Sequence, residues 1–371
     1  MTRTVPFVAA EGDPFAIGAA HGAARAAQLR AFLGDGLGRL NHLVRPAVTM
    51  AGLRDTIAAH RTEIEAATPA LAEEIRGLAA GAGISPDEAL LLQLRREILG
   101  YRRVRADGDC TTYALSGADP VLAQTIDLNG NLDDQLAVLD VAVTGSGRRA
   151  LVLSFAGLLG YLGLNSDGLA VGLNLVLGGR WAPGVPPYLA IRHVLDNASD
   201  VDGAIAVLRG LKLASSRSIT VCDAHSAAWL EIVGTETRVV RAHRTVHTNH
   251  LLHPDLADRD ELNVFARNSS LRRLAACQAG VEALPEHAGA HEHFAVLSAP
   301  PIHVPDEGDI TRERTVATVV LLPARGELHV RPAGASAAVF SLQVPLGEPG
   351  VQPQGPPTSR SQCGQTVSVA G

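Results

Sequence analysis

The chain has 371 residues, of which 46% are hydrophobic and only 4% aromatic, enough apolar material for one large core or two modest ones. Its net charge is −6 with both signs interleaved, so no basic stripe is available to neutralise a phosphate backbone, and nucleic acid is not an expected partner. The N-terminus lacks an uninterrupted apolar run, and no segment offers about 18 residues free of charges and turn residues. We therefore expect a cytoplasmic protein that is not bound to a membrane.

The first third of the chain is predicted to be rich in α-helix. Helical patterns run through residues 15–33, 53–82 and 85–98, and the last of them has Ser85 as its N-cap with Glu88 three residues later. This arrangement is typical of a capping box, so the third helix should begin just after Ser85.

From residue 110 onward the pattern changes to short strands separated by Gly, Asn and Asp turns, with helices inserted between them. Strands are predicted at 121–127, 136–143, 149–155, 169–176, 314–322, 326–332 and 337–346, and helices at 188–198, 201–211 and 261–284. The last residues, 348–371, are rich in Pro, Gly, Ser and Gln and are expected to be disordered. The fold class is therefore predicted as α+β, in layers, and not as βαβ alternation.

The cysteines of this chain have to be judged one at a time. They lie far apart with no CxxC pair, which excludes a zinc ribbon or a disulfide framework. Cys222 falls in a strand pattern and Cys277 in a helical one, so both are expected to be buried; Cys363 belongs to the polar tail. Cys110 lies at the junction of the helical block and the first strand, and has chemically suggestive neighbours.

The segment GDCTTYAL around Cys110 resembles the maturation site of the acyl-CoA:6-aminopenicillanic acid acyltransferases, cysteine-type N-terminal nucleophile hydrolases of the peptidase C45 group. Other blocks resemble the family in the same order over roughly residues 6–345. They are VAAEGDPFAIGAAHGAA, GLNSDGLAVGLN with PGVPPYLAIRHVL, TVHTNHLLHPDL, and the strand pair that follows Thr311 and Arg312.

The resemblance implies a four-layer αββα sandwich with an α-rich N-terminal segment, residues 1–109, and a catalytic body, residues 110–347, separated by self-cleavage. The Cys110 thiolate would attack the carbonyl of Asp109, and water would resolve the thioester to leave a free α-amine on Cys110. An α-amine titrates at about 7.7–8.0 in model compounds, so it can accept the thiol proton near neutrality. The cleaved fragments are expected to stay together as a heterodimer because neither would have a complete core.

Three further residues are matched to catalytic positions of the family. Asp127 corresponds to an aspartate that holds the new amine, its other interpretation being a turn aspartate. Asn249, in HTNH, corresponds to the asparagine whose amide stabilises the oxyanion. Arg312 corresponds to an arginine beside the cysteine, where a cation would lower the thiol pKa or engage a substrate carboxylate.

The same comparison implies three substrate-binding residues. Thr311 stands where the penicillin enzymes have serine, within a more highly charged segment, GDITRER. Ser216 corresponds to a pocket serine, or is a hydroxyl at a strand edge. Asn174 either supports the oxyanion site or pairs within the sheet.

Asp109 departs from the family, which usually has glycine before the nucleophile. The carboxylate polarises water or the scissile amide, or only tolerates a strained turn, and the sequence does not separate these interpretations. The departure puts the rate of self-cleavage in question.

No metal or cofactor is expected. His287, His291 and His293 contain a His-x-His pair, but a surface loop accounts for them more simply than zinc. His247 and His250 flank Asn249 and are expected to position its strand, since a cysteine with its own α-amine needs no histidine base. The glycine motifs lack the strand–glycine–helix order of a phosphate site.

The predicted function is a self-processing acyltransferase or amidohydrolase that forms an acyl-Cys110 intermediate from a small-molecule acyl donor and passes the acyl group to an amine or to water. An N-acyl-amino-acid or peptide amidase is the alternative within this class. An uncleaved, non-catalytic binding protein is the alternative outside it, and Asp109 is its main support.

Overall fold

The computed structural model describes residues 4–100, 110–130 and 132–342. Its first part contains one short strand and five helices, and the predicted helical block is confirmed there. These elements are β1 (Phe7–Gly12), α1 (Pro14–Asn41), α2 (Met50–Ala67), α3 (Pro69–Ala82), α4 (Pro86–Gln93) and α5 (Arg95–Leu99). Strand β1 was not predicted. The predicted disordered tail lies outside the described residues.

The helices begin where the sequence supplies caps. Asp13 accepts a hydrogen bond from Ala16 N at 2.8 Å at the start of α1. The predicted capping box at Ser85 is confirmed, since Glu88 N donates to Ser85 Oγ and Ser85 N donates to the Glu88 carboxylate.

Helices α1 and α3 cross at backbone contact because glycines line both faces of the crossing. A Cβ at Gly77 would lie 2.0 Å from Phe15 O, and one at Gly18 would lie 1.9 Å from Glu74 O. Only glycine permits such an approach, so this helix crossing depends on the glycines that line it.

The body contains most of the strands. They are β2 (Thr112–Leu115), β3 (Val121–Leu128), β4 (Leu136–Val143), β5 (Arg149–Phe155), β6 (Leu162–Asn165), β7 (Ala170–Leu175), β8 (Arg217–Cys222), β9 (Ala227–Val233), β10 (Glu236–Ala242), β11 (Arg244–His247), β12 (Arg314–Leu322), β13 (Glu327–Pro332) and β14 (Ala338–Ser341). Its helices are α6 (Pro187–Asn197), α7 (Val201–Arg209), α8 (Pro254–Ala257), α9 (Val264–Glu282) and α10 (Ala290–Ser298).

Two sheets stack face to face and carry helices on their outer faces. One sheet has the order β1-β4-β5-β6-β7-β8-β9-β10, and the other has the order β11-β2-β3-β12-β13-β14. Every pair is antiparallel except β1 with β4, which is parallel. Helices α6 and α7 pack on the first sheet, α9 and α10 pack on the second, and β3 faces β7 across the interior. The fold is therefore the predicted four-layer αββα form of the α+β class.

The sheets are tied together next to Cys110. The Gln124 side chain, on β3, donates to Leu173 O at 2.9 Å and accepts from Leu173 N at 3.0 Å on β7. A Cβ at the neighbouring Gly172 would lie 2.6 Å from Gln124 Oε1, so glycine is needed for this close approach. The strands that carry the candidate site are thereby held in register across the interior.

One apolar core runs through both the N-terminal segment and the body. It includes Ile17 and Leu78 from α1 and α3 together with Leu151 and Val319 from the two sheets. Among the described residues, no helix combines the length and the apolar character that crossing a membrane requires.

Candidate active site

Cys110 lies two residues before β2, where hydrogen bonds between Thr111 and β3 fix the backbone. Thr125 N donates to Thr111 O at 2.9 Å, and Thr111 N donates to Thr125 Oγ1 at 3.0 Å. Cys110 itself is only 4% exposed. These bonds place the thiol inside the sandwich.

Two donors converge on the main-chain carbonyl of Cys110. Asn174 Nδ2 lies 2.7 Å from this oxygen, and Arg273 Nη1 lies 3.1 Å from it. Asn174 is on β7 of the opposite sheet and Arg273 is on α9, so both a sheet and an outer helix hold the cysteine. The structure thus brings Asn174 to Cys110, although to its carbonyl and not to its thiol.

Arg273 also determines which way the Asn249 amide faces. Its Nη2 lies 2.6 Å from Asn249 Oδ1, and because a guanidinium only donates, that atom must be the amide oxygen. Asn249 Nδ2 then donates to the carbonyl of Leu175 at 3.0 Å. Ser270 Oγ accepts from Asn249 N at 2.9 Å, so α9 holds both the backbone and the side chain of Asn249.

Asp127 lies on β3 opposite Thr315 on β12. The two are cross-strand partners, and Thr315 Oγ1 donates to Asp127 Oδ1 at 2.7 Å. Val304 N donates to the same hydroxyl at 2.9 Å. Both side chains are buried. The bond from Val304 N fixes the Thr315 hydroxyl, and that hydroxyl in turn fixes the orientation of the Asp127 carboxylate.

Cys110 and Asp127 line a small cavity of about 30 Å³. Tyr161 and Tyr188 form part of its wall, and the Tyr161 hydroxyl oxygen lies 3.7 Å from Cys110 Sγ. Arg96 and Arg217 also line it, and the remaining wall is leucine. The thiol therefore faces a restricted space with aromatic, apolar and cationic walls.

A second pocket of about 60 Å³ adjoins this cavity and shares its two tyrosines. Its other walls include Phe32, Phe155 and Leu158. Three arginines also line it: Arg95 stacks over Phe32 at 5.0 Å and donates to Phe155 O at 2.8 Å, Arg39 pairs with Asp134 at 2.7 Å, and Arg96 is shared with the thiol cavity. The pocket is thus predominantly apolar next to the thiol.

Three of the residues matched by resemblance lie away from the thiol cavity. Arg312 is on an exposed loop, where its guanidinium contacts Glu307. Thr311 is on the same loop, and its hydroxyl donates to Asp309 Oδ1 at 2.7 Å. This loop precedes β12, and an aspartate turn at Asp309 holds it at the surface, so the structure does not bring either residue to Cys110.

Ser216, the third, is buried, but its hydroxyl serves the fold. It donates to Val176 O at 2.6 Å and accepts from Trp181 Nε1 at 3.0 Å. The neighbouring residue, Arg217, lines the thiol cavity instead. Asp109, the residue of the expected cleavage site, lies outside the described residues.

The histidines near these elements are structural. His247 Nε2 lies 2.9 Å from Glu231 Oε1, which agrees with the expectation that it positions the HTNH segment. His293 was expected on a surface loop, but it is buried on α10 with its Nδ1 2.8 Å from the Tyr113 hydroxyl. Within the described ranges, no three His, Cys, Asp or Glu side chains are grouped as a metal site would require.

The other described cysteines are too buried to act as nucleophiles. Cys222 and Cys277 are fully buried, on β8 and α9 as expected, and burial raises the pKa of each thiol to about 12. Neither is a thiolate near neutrality, so neither competes with Cys110 as a nucleophile.

Arg273, Thr315 and Arg217 were not identified from the sequence. Arg273 belongs to a pair of arginines on a helix that is otherwise weakly patterned, and nothing local indicates which of the two is buried. Thr315 resembles any strand threonine until its partner on β3 is known. A charged residue within a buried strand, as at Arg217, was the one available signal.

Within the αββα sandwich, the buried Cys110 shares a cavity with the Asp127 carboxylate and is tied through its carbonyl to the Asn174 carboxamide. The model of the acyl-coenzyme A:6-aminopenicillanic acid acyl-transferase family matches residues 115–334. That match spans more than half of the chain, which therefore belongs to this family of enzymes acting on acyl groups.

Individual proteins are similar to the chain as well. The 40 kDa form of acyl-coenzyme A:6-aminopenicillanic-acid-acyltransferase from Emericella nidulans is 29% identical over 261 residues, which cover 69% of this chain and 72% of that protein. Penicillin V acylase from Agrobacterium tumefaciens is 14% identical, covers 63% of this chain and 86% of its own, and has a TM-score of 0.46. A mutant form of conjugated bile acid hydrolase from Clostridium perfringens is 12% identical, covers 63% and 92%, and has a TM-score of 0.47.

Proposed function

We propose that this protein cuts itself before Cys110 and then breaks or exchanges amide or thioester acyl bonds through an acyl-Cys110 intermediate. The observation that carries the proposal is the position of Cys110: its thiol shares a cavity with Asp127, while Arg273 links its carbonyl to the Asn249 amide. The cleaved fragments, residues 1–109 and 110–371, remain together as a heterodimer in this proposal.

Self-cleavage begins with attack of the Cys110 thiolate on the Asp109 carbonyl. The C–N bond breaks as the thioester forms, and water hydrolyses the thioester to leave a carboxylate on Asp109 and an amine on Cys110. Asp127 accepts a hydrogen bond from that amine, because its carboxylate is buried in the same cavity. Nucleophile and base then belong to one residue.

In the acyl-transfer step, the thiol adds to the substrate carbonyl and the amine of Cys110 takes its proton. The tetrahedral intermediate then collapses to acyl-Cys110 as the C–N or C–S bond of the donor breaks, and the Cys110 ammonium returns the proton to the leaving amine or thiolate. The Asn249 amide donates to the developing negative oxygen; such a donor is typically worth about 2.7–4 kcal/mol in the transition state. Support comes from Arg273, which fixes the oxygen edge of this amide and so directs its nitrogen toward Leu175, a cavity-lining residue.

The acyl group occupies the apolar pocket beside Cys110. Its phenylalanine and leucine walls suit an aliphatic or aromatic acyl chain, whose burial there contributes roughly 25 cal/mol per Å² of apolar surface. The acceptor that releases the acyl group is an amine or water.

Intact-mass spectrometry tests the proposal. Purified protein is incubated with penicillins, N-acyl amino acids and acyl thioesters, and a mass increase on a fragment beginning at Cys110 is the expected result. Cys110→Ala should give neither cleavage nor adduct, whereas Cys222→Ala, the control, should retain both. An uncleaved wild type that forms no adduct with any donor would refute the proposal.

A further inference from the structure

Arg217 is a fully buried cation in the cavity that contains Cys110. It is the first residue of β8, its side chain is 1% exposed, and it lines the cavity. Trp181 and Tyr188 flank the guanidinium, with ring centroids 5.4 and 5.9 Å from its central carbon. The two rings hold the guanidinium in place through cation–π contact.

Part of this guanidinium makes no hydrogen bond within the described residues. Nη1 donates to Ser216 O at 2.6 Å, but Nη2 is buried without an acceptor. Glu97 Oε1 is 3.7 Å away and already accepts from Ser215 Oγ at 2.7 Å, while Glu97 Oε2 is buried without a donor in the described part of the chain. A buried N–H without an acceptor costs free energy, which a suitable anion would relieve.

The charges that line the cavity also favour an anion. They are the guanidinium groups of Arg96 and Arg217 and the carboxylate of Asp127. Glu313 and Glu97 pair with the two arginines at 3.7 Å, but neither lines the cavity. Asp127 is assigned to the amine of Cys110 in the proposed function, so the Arg217 guanidinium, whose Nη2 lacks an acceptor among the described residues, is left to face the substrate.

The position of Arg217 indicates which end of the substrate it meets. It lines the thiol cavity but not the adjoining apolar pocket, whereas the other cation, Arg96, lines both, as Tyr161 and Tyr188 do. With the acyl chain in the apolar pocket, the leaving amine portion faces Arg217.

We propose that Arg217 binds a carboxylate on the amine portion of the substrate, so that the preferred substrates are N-acyl amino acids. Arginine suits this role because its planar fork matches a carboxylate. The assignment rests on the proposed function. It also supplies the cation near Cys110 that the resemblance assigned to Arg312.

Matched substrate pairs test this assignment. N-acyl glycines with acetyl, hexanoyl, decanoyl and phenylacetyl groups are each compared with the corresponding glycinamide, and kcat/KM is measured by amine release. The wild type should prefer the acid by about tenfold to a hundredfold, as expected for a charged hydrogen bond. Arg217→Met should abolish that preference, chiefly by raising KM for the acid, so that kcat/KM falls much more for the acid than for the amide.

Arg95→Met is the matched control, since it removes a guanidinium from the adjoining pocket and should affect acid and amide alike. Arg217→Lys keeps the positive charge and should retain part of the preference, which provides a second variant if Arg217→Met does not fold. Equal rates for acid and amide in the wild type, or equal losses in Arg217→Met, would overturn the assignment and leave the proposed function intact.

The two proposals fail in different ways. If no glycine pair reacts but acyl thioesters without a carboxylate still acylate Cys110, only the carboxylate assignment is refuted. If no donor of any class acylates Cys110, the proposed function itself is refuted.

Discussion

At the scale of single residues, Arg273 connects the parts of the candidate site. One buried guanidinium contacts the Cys110 carbonyl, the Thr111 hydroxyl and the Asn249 amide oxygen. Without it, the Asn249 amide oxygen would lose its charged donor, and the amide would be held less firmly in the orientation that directs its nitrogen toward the cavity. We therefore expect Arg273 to affect catalysis by positioning the Asn249 amide.

Arg273→Met is expected to lower kcat by about ten- to hundredfold, because a misplaced donor loses much of its stabilisation of the transition state. Arg272→Met, an exposed arginine on the same helix, is the control and should have little effect. In an Asn249→Ala background the Arg273 substitution should cost almost nothing further. Additive losses in the double variant would contradict the coupling.

The three described cysteines should differ in reactivity. In a Cys363→Ser background at pH 8, iodoacetamide should label Cys110 of the cleaved protein and leave Cys222 and Cys277 unmodified, because burial keeps both thiols protonated. Peptide mass mapping before and after unfolding in urea measures the difference. Rapid native labelling of Cys222 or Cys277 would be inconsistent with this structure.

Motif likeness indicated Cys110, Asp127, Asn174 and Asn249, and all four are buried in the structure. Arg273 and Thr315 could not be predicted, because their roles depend on long-range contacts. Thr315 meets Asp127 just before a bulge in β12, where the pairing shifts between residues 315 and 317. A motif does not specify such a shift, nor which arginine of a helix faces inward.

At the scale of elements, the crossing of α1 and α3 is the most constrained contact. Gly77→Ala should destabilise the fold by about 1–3 kcal/mol, because its Cβ would force the two backbones apart. Gly34→Ala is the control, since that glycine is an exposed α1 residue with open space around it and should stabilise by roughly 0.5–1 kcal/mol. Urea unfolding measures the change in the free energy of unfolding for both variants. Equal changes would contradict the close contact between the α1 and α3 backbones.

The hydrophobic periodicity of the sequence predicted the long helices and the buried strands, because burying one face of an element requires apolar residues at regular intervals along that segment. Strand β1 was missed for a different reason: it is only six residues long and pairs in parallel with β4, more than a hundred residues further along the chain. Its partner, and not its own pattern, makes FVAAEG a strand.

At the scale of the whole molecule, stability should decrease in acid because of His21. Burial, followed by the charges of Arg25 and Arg192, lowers its pKa to about 3. The unfolded chain binds a proton below about pH 6.5 and the folded chain does not, so stability present above that pH is lost as pH falls toward 3. In this window, each unit by which the pH falls should lower the free energy of unfolding by up to about 1.4 kcal/mol.

His21→Leu removes this titration and should show a flatter dependence of melting temperature on pH between about 6.5 and 4. The comparison uses the slope, so a lower melting temperature of the variant at neutral pH does not affect it. Parallel curves for wild type and variant would exclude His21 as the source.

The shared core has a consequence for the cleaved protein. Because α1 and α3 contribute to the same apolar cluster as both sheets, fragments produced by a cut before Cys110 should stay associated. Size-exclusion chromatography under native conditions should therefore give one species that contains both fragments.

The central claim is that Cys110 is the nucleophile of self-cleavage and of acyl transfer. Intact-mass measurement of wild type and Cys110→Ala, with and without acyl donors, tests it most directly. The wild type should give two fragments, the larger beginning at Cys110 and gaining one acyl group, whereas the Cys110→Ala chain of 371 residues should stay intact and unmodified. A Cys110→Ala protein that still cleaves and still turns over the donor would contradict it.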